Sequence, residues 1–334
     1  MSETPTGLFE LLPNETILQI SSLLPIADVV CLKRATHGLM PVLAERIDPA
    51  RYFQSTGPFA DSAELLEVMA RHGAVLSGSR ALEYFVPGSS TNDSDWDFYV
   101  PPILPSIVAV KNALEKSVHV RENGSVGWMS GLIPIFIREG GRVTFSQPHE
   151  EITNEYPETI AAKVLSGTAR RNGRAVPVQL VVGAIDPRMT SITDGLSQTV
   201  FGSILSFYGS HVQCILSKHV ALHLYYRLAS EKSAFRWQVP EAIRQRAEDA
   251  VEKYVTRGFR FMTASDNEEE WAFRSAQDND SFLIELDANQ HYLPALSQVK
   301  DLRWCHAGEM IQMASQPRTI DSRHELLRFG IVSR

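Results

Sequence analysis

Leu76-Ser-Gly-Ser-Arg80 and Asp95-Trp-Asp97 decide the reading of this chain; fifteen residues lie between Ser79 and Asp95. If 96–100 is a strand, Asp95 and Asp97 stand two positions apart and face one side, with Trp96 on the other. Two adjacent ionised carboxylates repel each other unless a proton or a cation sits between them. A hard cation such as magnesium, shared with phosphate oxygens, suits that pair. Gly78 lets the backbone approach a ligand, Ser79 can donate from its hydroxyl, and the first N–H groups of the helix that follows favour an anion. The plainer alternative is an acidic loop entering an ordinary strand.

Outward from this point, the pattern predicts an amphipathic helix over 62–72, with Leu65, Leu66 and Met69 inward, and a short apolar strand over 74–77. A short helix over 81–85 and a strand over 96–100, stopped by Pro101-Pro102, come next. A helix is expected over 106–114, and strands over 133–138 and 142–145 meet at Gly140-Gly141. Strands 162–170 and 174–182 flank Asn172-Gly173, the strongest short hairpin signal. Beyond 212 the pattern reads as helical, with helices near 214–230, 240–257 and 302–315.

The turn, the Asp-x-Asp strand and the later hairpin together resemble the nucleotidyltransferase fold of DNA polymerase beta-like enzymes, over about 74–182. The resemblance implies that Asp95 and Asp97 hold magnesium and that Gly78 and Ser79 contact the phosphates of a nucleoside triphosphate. Such enzymes move a nucleoside monophosphate to a hydroxyl acceptor with the help of a third carboxylate on a later strand. Here that position falls at Gln179, in Val176-Pro-Val-Gln-Leu-Val-Val182. A neutral amide cannot accept a proton at neutral pH and is a weaker metal ligand, so impaired catalysis is expected. Asp186 is the nearest later carboxylate.

The N-terminal stretch Leu11-Leu-Pro-Asn-Glu-Thr-Ile-Leu-Gln-Ile-Ser-Ser-Leu-Leu-Pro25, followed by Asp28-Val-Val-Cys-Leu32, resembles an F-box. The matching features are Leu-Pro with a nearby Glu, the apolar helix, and the Asp-Val step. Where many F-boxes carry an aromatic residue, this chain has His37-Gly-Leu39. The resemblance implies docking on the Skp adaptor of a Skp–cullin–F-box ubiquitin ligase, with Leu12, Pro13, Ile17, Ile20 and Leu24 as contact or core positions and an unknown protein as the ubiquitination substrate. Three short helices bury little apolar surface alone, so they meet either a partner or the rest of the chain. A helical cap on the next domain is the alternative.

The composition of the 334 residues, 44% hydrophobic and 21% charged, is that of a globular protein. A net charge of −7 gives no general attraction to nucleic acid. Cys31, Cys214 and Cys305 form neither a zinc spacing nor a disulfide framework. No apolar run is long enough for a membrane span and the start has no signal-peptide pattern. The expected setting is reducing and intracellular, in cytoplasm or nucleus.

Lesser candidates are weighed against plain structural roles. His219 and His223 share a face if 214–230 is a helix, yet no third ligand follows. Lys163, Arg170, Arg171 and Arg174 could reach phosphates or simply solvate a hairpin tip. Lys253, Tyr254 and Arg257 could cover the cleft or end a helix at Gly258. The acidic stretch 266–287 reads as a solvated loop. The expected architecture is α+β: an F-box-like helical segment at 7–50, a mixed-sheet nucleotidyltransferase-like domain at 60–210, and a mostly helical part at 211–334.

Overall fold

The computed structural model describes residues 11–36, 39–117, 127–128, 136–139, 142–145, 161–171, 174–183, 200–263, 274–286, 299–300, 302–307 and 310–314. The chain is α+β, with a mixed sheet and helices near both ends, as the sequence pattern predicts.

Five helices open the fold: α1 (Asn14–Leu23), α2 (Ile26–Ala35), α3 (Met40–Ile47), α4 (Pro49–Thr56) and α5 (Ser62–Arg71). α4 lies in the 48–62 stretch, whose mixed charge reads in the sequence as a connector between the N-terminal helices and the 62–72 helix. Its start follows from Asp48, whose side chain accepts from the Ala50 N–H at 2.8 Å, and from Pro49, whose missing N–H costs nothing in a first turn. The first helices are built into the main core. Ile17, Ile26 and Val29 are buried in the same cluster as Phe53, Phe59, Trp96 and Phe98. Arg46 on α3 donates from Nε to the Ser21 carbonyl at 3.3 Å and from Nη2 to the Tyr84 carbonyl at 3.0 Å. The Ala27 N–H donates to the Tyr226 hydroxyl at 3.1 Å.

β1 (Val75–Ser77) leads directly into α6 (Gly78–Phe85), and β2 (Trp96–Val100) is followed by α7 (Leu104–Ser117). Short strands β3 (Gly127–Trp128), β4 (Phe136–Glu139) and β5 (Arg142–Phe145) come next, and the long hairpin is β6 (Ala161–Arg171) with β7 (Arg174–Gly183). The 214–230 region is not one helix. It forms β8 (Cys214–Leu216), β9 (Val220–His223) and the five-residue helix α8 (Tyr226–Ser230). After β10 (Ser233–Arg236), the expected helix near 240–257 is found as α9 (Arg244–Val255), followed by β11 (Arg260–Thr263), β12 (Arg274–Ser275) and β13 (Phe282–Glu285). The expected helix at 302–315 is instead a hairpin, β14 (Arg303–Ala307) with β15 (Met310–Ala314).

Among the described residues the main sheet has eight strands in the order β13-β9-β8-β1-β2-β7-β6-β3, so strands from both sides of residue 210 share it. Its pairs are antiparallel except β2 with β7, which run parallel. Trp96 and Phe98 point into an aromatic cluster, with Phe59 at 5.0 Å and Phe53 at 5.3 Å from the Trp96 ring. Asp95, Asp97 and Tyr99 therefore face the opposite side. Among the described residues no helix is long and apolar enough to cross a membrane.

Candidate functional site

The two quoted motifs meet across the β1–β2 pair. Ser77 is the register partner of Asp97, which sets the turn after β1 against the carboxylates. Gly78 carries φ +69°, a left-handed conformation that favours glycine, and a Cβ built there would lie 2.6 Å from Asp97 Oδ2. The absent side chain leaves a cradle in which the carboxylate lies against backbone. α6 begins at this glycine, so its first N–H groups lie beside the acidic pair.

Gly78, Ser79, Asp95, Asp97 and Gln179 line one cavity of about 400 Å³, a size suited to a small-molecule ligand. Gln179 is the register neighbour of Asp97 across the parallel β2–β7 pair, which sets its amide beside the acidic pair in the cavity lining. Among the described residues no group of three or more His, Cys, Asp or Glu could hold a metal ion. Asp186 lies outside the described residues.

Asp97 is half-buried with its carboxylate turned inward, and its pKa is pushed up to about 7. Burial is the main cause and the negative charge of Asp95 adds to it, while Lys253 and Arg80 pull the other way. A proton or a divalent cation relieves that strain. Magnesium is commonly held by one or two carboxylates and completed by phosphate oxygens, so the pair fits a cation that arrives with a phosphorylated ligand.

The opposite wall is α9, which brings Arg246, Ala247, Ala250, Lys253 and Tyr254 to the cavity. Two of the cations that could face phosphates are therefore on this helix. Ser79 and Tyr254 line the cavity together, and burial raises the pKa of the Tyr254 phenol above its usual value. Lys253 and Tyr254 thus cover the cleft, while Arg257 reaches the loop before Asp95.

Other candidates lie elsewhere. Arg171 donates to the Thr56 and Ser55 carbonyls at the end of α4, Arg170 and Arg174 are exposed, and none of the three lines the cavity. His219 is in a turn and His223 on β9, so they share no helix face. In the acidic stretch, Asp278 pairs with Arg274 at 2.8 Å. Of the N-terminal positions, Ile17 faces the protein's own core, Leu12, Ile20 and Leu24 are half-buried, and Pro13 is exposed.

The sequence reading missed Tyr99, Phe207, Tyr208 and Arg246 as lining residues. Tyr99 follows from the alternation that aligns Asp95 with Asp97. Arg246 stands seven residues before Lys253, two helical turns along one face. Phe207 and Tyr208 carry no local signal, since only tertiary packing brings them here. Compared with protein-family models, with curated proteins and with solved structures, the chain matches none.

Proposed function

We propose that this protein is a recognition subunit whose cavity binds a magnesium–nucleoside triphosphate without transferring it efficiently. The observation that carries the reading is Gln179 beside Asp97. Asp95 and Asp97 hold the cation, and Ser79 with the backbone at Gly78 meets phosphate. Magnesium, when bound, neutralises charge on the phosphates. Transfer also needs a group to take the proton of an acceptor hydroxyl, help worth roughly 10²- to 10⁴-fold. An amide at Gln179 does not supply it. The alternative, an active metal-dependent nucleotidyltransferase, requires another base in that place.

Calorimetric titration of the full chain with ATP, GTP, CTP and UTP in the presence of magnesium tests the reading. Binding by wild type that disappears in Asp95→Ala/Asp97→Ala supports it. No heat with any of the four rejects it, and rapid pyrophosphate release favours the enzyme instead.

A second feature supports the F-box-like role. Leu11 and Leu23, at the two ends of the α1 segment, are 68% and 77% exposed. In this reading they meet the Skp adaptor while Ile17 keeps the helix on the body of the protein. Capture of purified Skp adaptor by the full chain, lost in Leu11→Ser/Leu23→Ser, is the expected result. Equal capture by both proteins counts against it.

A further inference from the structure

The loop 87–95 joins α6 to β2 and ends on Asp95. Its backbone is held locally by two side chains of α6. Glu83 accepts from the N–H groups of Gly88, Ser89 and Ser90 at 2.9, 2.7 and 2.6 Å. Arg80 donates from Nε to the Ser94 carbonyl and from Nη2 to the Asn92 carbonyl, both at 3.1 Å. A third set of bonds comes from far along the chain. Arg257, two residues past α9, donates from Nη1 to the Ser89 carbonyl at 2.9 Å and from Nη2 to the hydroxyls of Ser94 at 3.2 Å and Thr91 at 3.4 Å.

Ser94, the residue before Asp95, is thus gripped twice: Arg80 holds its carbonyl and Arg257 its hydroxyl. That hydroxyl also accepts from the Thr91 N–H at 3.0 Å, so both of its lone pairs are used. Arg257 is outside the cavity lining, but its guanidinium lies 4.9 Å from the centre of the Tyr254 ring, and Tyr254 does line the cavity. The wall that closes the cavity and the loop that presents the carboxylates are therefore tied at one residue.

We propose that Arg257 is a positioning residue for Asp95, so that seating α9 over the cavity and setting the carboxylate for a divalent cation are one event. The inference rests on the proposal that Asp95 and Asp97 bind such a cation. Groups that orient a metal ligand without touching the metal commonly change its affinity about 10- to 100-fold.

Mn²⁺ alone serves as the probe, with free Mn²⁺ read by electron paramagnetic resonance in solutions of the full chain. Arg257→Met is expected to weaken Mn²⁺ binding about tenfold, and Arg257→Lys to recover part of the loss. In a Ser94→Ala background, Arg257→Met is expected to cost clearly less, because its bond to the residue before Asp95 is already gone. A simple structural brace would lower thermal stability without this coupling in Mn²⁺ affinity. If wild type binds Mn²⁺ and loses it in Asp95→Ala, while Arg257→Met binds within twofold of wild type or the two changes add fully, the positioning role is overturned and the cation site stands. If wild type binds no Mn²⁺, either alone or in the presence of ATP, both fall. Should Arg257→Met fail to fold, Thr91→Val and Ser94→Ala test the same bonds from the loop side, and unchanged Mn²⁺ affinity in both overturns the inference.

Discussion

Asp97 and Gln179 are register neighbours across the only parallel pair of the main sheet described here, with both side chains at the cavity. A carboxylate already raised by burial thus has a neutral neighbour on that side. With a third carboxylate at 179 the cavity would concentrate three negative charges, at positions 95, 97 and 179. The amide spares the folded chain that repulsion when no cation is bound.

Gln179→Asp reverses this arrangement. In EDTA the variant is expected to lose roughly 1 to 3 kcal/mol of stability, the usual scale for a buried polar group without its partner, and magnesium should restore it. Pyrophosphate release from a triphosphate should rise above the wild-type level. Denaturant titrations with and without magnesium check the first point, and equal midpoints would reject it.

The raised pKa of Asp97 gives a signed pH dependence. Its folded value is about 7 against an ordinary carboxylate value of 3.8. Between those limits the folded state binds the extra proton, so this group's contribution is fully present below pH 4 and is lost as pH rises through 7. Its slope is at most about 1.4 kcal/mol per pH unit, less to the extent that water in the cavity screens the charge. Asp97→Asn should flatten that part of the stability profile, and a saturating divalent cation should do the same for wild type. An unchanged profile in Asp97→Asn rejects the assignment.

Gly78→Ala tests the cradle. The left-handed backbone costs an L-residue about 1 to 2 kcal/mol, and the new methyl would press on Asp97 Oδ2. A drop of about 1 to 3 kcal/mol in chemical denaturation is expected from these two effects together, along with loss of Mn²⁺ binding. A variant as stable as wild type would show that the close approach is not required.

The N-terminal helices should separate into two kinds of position. Ile17→Ala removes a side chain only 1% exposed and should cost about 2 to 5 kcal/mol. Leu23→Ser alters a side chain that is 77% exposed and should change stability by about 0.5 kcal/mol or less. Thermal unfolding of the two variants distinguishes the positions, and similar losses in both would contradict the packing described.

Much of the fold around the cavity was legible locally. The Gly-Ser turn, the Asp-x-Asp strand, helices α5 and α7 and the Asn-Gly hairpin all carry short-range signals, and strand alternation sets Gln179 apart from the apolar residues on either side of it. Helix α4 carries a start signal too, Asp48-Pro49, but the mixed charge of the wider 48–62 stretch obscured it. The error at 214–230 has a different origin. Cys214-Ile-Leu216 and Val220-Ala-Leu-His223 are buried throughout, and a continuous apolar run does not distinguish a central strand from a buried helix. Besides each other, their hydrogen-bond partners are β1 and β13, distant in sequence. Arg303-Trp-Cys-His-Ala307 was misread for the same reason, since its partners, β12 and β15, decide its form. The α9 wall was half legible: Lys253 and Tyr254 stood out beside a helix stop, while Arg246 required following the face back two turns.

β1 is only three residues long, and it is flanked by β2 on one side and by β8 on the other, whose residues lie some 140 positions later (Leu76 pairs with Leu216). A nascent chain therefore carries the Gly-Ser turn and both aspartates out of the ribosome well before the strand that completes their sheet has been made. Until then β1 lacks its second neighbour in the sheet and the acidic pair lacks the α9 wall. Synthesis order thus sets a time before which the protein has no cavity to fill, and ligand capture belongs to the finished chain.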